Sequence, residues 1–407
     1  MTPSFPTSYS TLPFQHIRVS HIPESSPIPT PTILITLYRP EKYNAFTDTM
    51  AEDLEIAFNL LSLDPRVKCI VITGHGKMFC AGADLEAGLL YENDTALTHR
   101  DGGGKVALAI HRCTKPTIAA INGSAVGVGI TVTLPTSIRI VSSTAKIGFV
   151  FARRGIIMEA CSSYFLPRLI GLSRAMHLTT TGSIYPSTSP LLSSLFSEIL
   201  PPEQVLPRAL ELANDIAQNT SAVSTAVMRD LMWKGPGTAE ETHLLDSKIL
   251  LELFRAGDKS EGIKSFMEKR DPEFKDNMQE NAPSVWPWWK PVDTKPPATI
   301  EELTQKLKTT EMEPGEKCAG TNEDDDHNFL VPSKPPWKHC VEQSAVKGED
   351  EGTTCGSAAD QLRKLMLDED DGDDRQIRSD SERALITGDD DWQTMIFWYN
   401  ASTYIRN

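Results

Sequence analysis

The stretch VKCIVITG (67–74) constrains the chain most, because it sits directly behind a segment of a different period. In TDTMAEDLEIAFNLLSLD (47–64), a Thr-Asp cap signal precedes Met50, Leu54, Ala57, Phe58 and Leu61, which fall on one helical face. The short apolar run that follows reads as a buried strand. KPTIAAING (115–123) and SIRIVSS (137–143) repeat that reading, so strand, helix and strand alternate. Such alternation predicts an α/β core in which successive strands are covered by crossover helices. Ahead of it, HIRVSHI (16–22) and ILITLYRP (33–40) flank a Ser/Pro-rich turn and predict an antiparallel pair.

The 407 residues do not have one composition throughout. From 203 to 276 the apolar residues take helical spacing between charged ones, predicting a helical region with a face able to pack on another subunit. Beyond VWPWWKPVDTKPPA come the acid runs TNEDDDHN, LDEDDGDD and GDDDW. Residues 301–407 hold 25 acidic and 12 basic residues, most of the net charge of −15, and predict a disordered tail with one aromatic cluster, WQTMIFWYN. The body is left nearly neutral and offers no basic footprint for nucleic acid. No run approaches the ~20 apolar residues of a membrane span. MTPSFPTSYSTLPF lacks the basic-then-apolar order of a secretory leader, and seven cysteines without a Cys-x-x-Cys pair predict reduced thiols rather than disulfides or zinc.

Two stretches carry candidate chemistry. GHGKMFCAGADLEAG (74–88) leaves the strand at 67–74 through a Gly-rich turn toward what reads as the start of a helix, and INGSAVGVGITVTL (121–134) does the same. Unpaired amides at two such turns can converge on one oxygen as an oxyanion hole. Taken singly, each is also compatible with mere tight packing. GHGK lacks phosphate-loop spacing, and GVG lacks the third glycine and distal acid of a dinucleotide site. His75, His111 and His177 are isolated, and no metal site is expected from them. Cys161 reads as packing.

In RPEKYNAF, FCAGADL, KPTIAAINGSAVGVG and FMEKRDPEFK, in that order, the chain resembles the enoyl-CoA hydratase/isomerase (crotonase) family over residues 15–276. The resemblance implies a spiral of ββα turns at 15–202, after an N-terminal extension at 1–14, and a helical trimerisation region at 203–276. A Pro/Trp linker and the acidic tail fill 277–407. It further implies an acyl-CoA substrate with no separate cofactor, assembly as a homotrimer or dimer of trimers, and a peroxisomal location, although the terminal Ile405, Arg406 and Asn407 form no targeting tripeptide. The backbone N–H groups of Ala83 and Val128 would bind the thioester oxygen. Ala81, Gly82, Asp84 and Leu85 would line the CoA, and Phe266 and Lys269 would reach its nucleotide end.

Hydratases of this family use two glutamates, and the matching positions here are Thr131 and Phe151. Neither is a base. Glu159, in MEACSSY, falls where the 3-enoyl-CoA to 2-enoyl-CoA isomerases carry their sole catalytic acid in a Pro-Glu-Gly-Cys-Ser-Ser pattern, with Met158 and Ala160 replacing the Pro and Gly. Burial is expected to raise its pKa and suit it to shuttle a proton. The competing reading of Glu159 is a first-turn acid favoured by a helix dipole. For the whole chain, the isomerase reading stands beside a hydratase or lyase using Glu159 alone and beside a non-catalytic acyl-CoA-binding protein.

Overall fold

The computed structural model describes residues 5–86 and 94–296. Its strands are β1 (Ile17–Ile22), β2 (Thr32–Leu37), β3 (Cys69–Gly74), β4 (Met78–Cys80), β5 (Thr117–Ile121), β6 (Ser124–Val126), β7 (Ile138–Ser142), β8 (Lys146–Gly148), β9 (Ile184–Pro186) and β10 (Glu198–Leu200). The helices are α1 (Asp48–Leu63), α2 (Gly102–Arg112), α3 (Val128–Thr131), α4 (Ser162–Ile170), α5 (Leu172–Thr181), α6 (Pro202–Asn219), α7 (Ala222–Lys234), α8 (Ala239–Leu253), α9 (Gly257–Glu268) and α10 (Met278–Asn281). The expected antiparallel pair is β1 with β2, Ile17 facing Leu37. Every later pairing of the main sheet is parallel, in the order β1-β2-β3-β5-β7-β10.

Each turn of the spiral uses the same parts. A long strand (β3, β5, β7) joins the six-stranded sheet, and a short strand (β4, β6, β8) enters the second sheet, ordered β4-β6-β8-β9. A helix then returns the chain. Helix α1 starts where Thr47 accepts a hydrogen bond from the Met50 N–H, and its apolar stripe of Met50, Leu54, Ala57, Phe58 and Leu61 is wholly buried against one face of the sheet. Helix α6 covers the other face through Val205, Ala209, Ala213 and Ala217, small enough to bring the helix close to Val71, Ile118 and Ile140. Because β3 is therefore buried on both sides, VKCIVITG shows no alternation.

Both flanks join the body more closely than the sequence suggests. Residues 8–14, expected as an extension, pack on the core: Tyr9 is buried and its hydroxyl donates to Asp64 Oδ2 at 2.9 Å. The Pro/Trp segment likewise docks on α7, where Trp286 Nε1 donates to Asp230 Oδ2 at 2.9 Å and Trp288 Nε1 to the Lys234 carbonyl at 2.8 Å. The acidic tail lies outside the described residues. Among those described, no helix is long and apolar enough to cross a membrane.

Candidate active site

Strand register brings the two small-residue turns together. β4 and β6 run parallel with Cys80 opposite Ala125, and Ala83 and Val128 each lie three residues further on. Phe46 forms a parallel bridge to Ala83: its N–H donates to the Gly82 carbonyl (2.8 Å), and its carbonyl accepts from the Asp84 N–H (2.9 Å). A bridge of this kind turns Ala83's own N–H to the opposite side. Val128 opens α3, and the amides of Ile130 and Thr131 both reach back to the Gly127 carbonyl at 3.1 Å, leaving the first-turn N–H of Val128 facing outward. Among the described residues neither the Ala83 nor the Val128 amide has a hydrogen-bond partner. Glycine is required beside both, since Gly82 has φ +102°, a Cβ there would sit 3.0 Å from the Val126 carbonyl oxygen, and Gly127 has φ +57°.

The helix expected after the first turn does not begin there. Residues 81–86 form the bridge and a turn, and its continuation at 87–93 lies outside the described residues. What fixes Ala83 instead is the RPEKYNAF segment. Arg39 pairs with Asp84 (2.8 Å), mostly shielded from solvent, and donates to the Ala45 carbonyl (2.6 Å). Asn44 is fully buried, and its Nδ2 donates to the carbonyls of His75 and Met78, both at 2.9 Å. Ala81 N–H donates to the Tyr43 carbonyl (3.1 Å), Lys42 pairs with Glu86, and Leu85 is exposed. Phe266 is 80% exposed near the end of α9, and Lys269 caps that helix.

Glu159 is not in a first helical turn. Its carbonyl accepts from Ser162 N–H (2.9 Å), three residues ahead at the start of α4. Ala160 and Cys161 between them hold left-handed φ values of 53° and 54°. That conformation disfavours side chains with a Cβ, and Ala160 stands where the isomerase pattern has Gly. The Ala160 N–H donates to Asp101 Oδ1 (3.3 Å), which also caps α2 through the Gly104 N–H (2.5 Å). This turn sends the Glu159 carboxylate away from its own helix and between α2 and α3. Oε1 accepts from the Thr131 hydroxyl at 2.5 Å, while Oε2 is buried without a partner. A Cβ added to Gly103 would lie 1.9 Å from Oε2 and 3.1 Å from Val128 Cγ2, so the free oxygen rests on bare helix backbone beside Val128. Desolvation pushes the Glu159 pKa up to about 7 against the Thr131 hydrogen bond, with the Asp101 charge adding to the rise.

Phe151 is buried in the hydrophobic core and carries no titratable group. The remaining titratable candidates pack rather than converge. His111 lies among Tyr164, Phe165 and Trp233 and is pushed down to about 4 by burial; His177 Nε2 meets the Tyr185 hydroxyl (3.0 Å), and His75 packs at a tilt against the Tyr38 ring. Cys161 is half-buried and its thiol is pushed up by desolvation. Sequence reasoning did not single out Arg39, Asn44, Asp101 or Gly103. Arg39 and Asn44 stood inside a quoted motif, whereas Asp101 and Gly103, in the DGGGK run at 101–105, belong to none of the quoted motifs.

A spiral of ββα turns with two adjacent free amides defines the crotonase class. An enoyl-CoA hydratase from Bacillus anthracis superposes with a TM-score of 0.57 at 28% identity, over 64% of this chain and 99% of that one. The chain belongs to the enoyl-CoA hydratase/isomerase family, whose sequence profile matches residues 29–277. Two proteins of Alternaria alternata, named enoyl-CoA hydratase AFT3-1 and enoyl-CoA hydratase ACTT3, are each 50% identical to it over 276 residues, 68% of this chain and 92% of theirs.

Proposed function

We propose that this family enzyme moves a double bond from C3 to C2 of an acyl-CoA thioester, with Glu159 as its proton carrier. The observation that carries the reading is the lone buried Glu159 carboxylate beside Val128, with Thr131 and Phe151 where a hydratase holds its acids. The thioester oxygen sits between the N–H groups of Ala83 and Val128, whose dipoles stabilise negative charge as it develops. Glu159, ionised, takes a proton from C2. The electron pair left behind delocalises through the carbonyl and the C3–C4 double bond as a dienolate. The same proton returns from Glu159 to C4, so the product is the 2-ene and the carboxylate is regenerated. A pKa of about 7 suits both halves, since the group must be base and then acid at similar driving force. Asp101 is exposed and spends its Oδ1 on backbone amides, which leaves it a poor second acid.

A hydratase reading rests on the names of the Alternaria proteins. Incubating the purified enzyme separately with 3-enoyl-CoA and 2-enoyl-CoA of several chain lengths distinguishes the two by product mass. Conversion of the 3-ene without gain of water is expected. Production of 3-hydroxyacyl-CoA from the 2-ene, with the 3-ene untouched, establishes the hydratase instead.

A further inference from the structure

We propose that Thr131 is the positioning residue of Glu159: its hydroxyl holds Oε1 and thereby commits Oε2 to the proton transfer. The inference rests on the role given to Glu159 above. Thr131 is fully buried on α3, the helix that Val128 opens, so one short helix presents both a free amide and the hydroxyl that orients the acid. A hydroxyl has one proton. The carbonyls of Gly127 and Val128 lie 3.3 and 3.4 Å from Thr131 Oγ1, against 2.5 Å for Glu159 Oε1, so the carboxylate receives it. The opposite oxygen, Oε2, is the one without a partner and the one over Gly103 and next to Val128 Cγ2. A glutamate left to rotate about its last bond would exchange the two oxygens, and the hydrogen bond to Oε1 prevents this.

The hydroxyl also favours the ionised form, because it donates to a carboxylate. The titratable groups facing Glu159 are Asp101 from the α2 cap, Cys161 from the left-handed turn and Cys80 from β4. The thiols of Cys80 and Cys161 are both pushed up by burial and so stay uncharged near neutrality. None of them can take over the stabilising role of Thr131.

The test is the pH dependence of kcat for 3-enoyl-CoA isomerisation in Thr131→Val and Thr131→Ser, with folding checked by thermal melting and CoA-ester binding. Losing a hydrogen bond to a charged group should move the limb on which rate rises with pH upward by about one to two units. Turnover at pH 7 then falls roughly five- to fifty-fold, recovers as the pH is raised, and leaves KM little changed. Thr131→Ser, which keeps the donor, should hold the limb in place. Thr131→Cys, a small and weak donor, repeats the measurement if Val is not accommodated. An unmoved limb in Val or Cys overturns the proposal. Glu159→Gln is run alongside: if it turns over normally, the reading of the reaction itself fails, whereas an inactive Gln variant with an unmoved Thr131→Val limb removes only the role of Thr131.

Discussion

Gly103→Ala tests whether the placement of Glu159, rather than its presence, sets the rate. The added methyl would stand 1.9 Å from Glu159 Oε2 and 3.1 Å from its Cδ. Carbon and oxygen in contact need roughly 3.3 Å, so the carboxylate must retreat by well over 1 Å and give up the Thr131 hydrogen bond. Misplacing a reacting group by about 1 Å costs about 10²-fold, and a loss of at least that size in turnover is expected. Stability should change little, because the displaced atoms end a flexible side chain and Ala in a helix is favoured over Gly by about 1 kcal/mol. Gly102→Ala is the control in the same turn. Its methyl would stand 3.2 Å from the Ala51 Cβ, 3.6 Å from Asp48 Oδ1 and 3.8 Å from Phe46 Cε1, away from the Glu159 carboxylate, and turnover should stay near that of the parent. Isomerase rates, melting temperature and CoA-ester affinity on the three proteins decide the matter: Gly103→Ala with undiminished turnover would falsify the placement of the acid argued here.

Glu159 has a folded-state pKa of about 7 against its ordinary 4.5, so its contribution is fully favourable below about 4.5 and is lost as pH rises through 7. Glu159→Gln should therefore gain stability over the parent by up to about 3 kcal/mol between pH 5 and 8.5, read from denaturant midpoints, while losing about 10²–10⁴-fold in turnover. Arg139 is buried, and its guanidinium donates to the carbonyls of Leu195 (2.9 Å), Thr136 (2.6 Å) and Leu134 (3.1 Å). Arg139→Leu should cost about 3 kcal/mol by leaving those oxygens unpaired, a loss that calorimetry measures directly. We also propose a trimer, supported by Leu244, Leu250, Leu251, Phe254, Ile263 and Met267, all exposed on or beside α8 and α9. Light scattering at micromolar protein should give three times the chain mass, and a monomer there would count against it.

The spiral was legible because its causes are local. The stripe at 50, 54, 57, 58 and 61 and the unbroken apolar run at 69–72 both follow from burial by neighbours in sequence order, and the β4 and β6 turns betrayed themselves by glycines at positive φ. Glu159 was legible as a candidate only through its motif. Nothing in GIIMEACSSYF says that two consecutive non-glycine residues take left-handed backbone, and that twist alone turns the acid away from its own helix toward Gly103. Thr131 shows the limit more sharply. From the sequence it registers as a missing glutamate, a fact about what the residue is not. Only when α2, α3 and the turn before α4 meet does the small hydroxyl gain a partner 28 positions away. A short polar side chain at 131 leaves room for a glutamate arriving from 159, whereas a longer glutamate at 131 would crowd and repel that carboxylate. Thr131 and Glu159 are thus a single steric and electrostatic choice: a short hydroxyl side chain on α3 admits, and donates to, a carboxylate that arrives from the turn before α4.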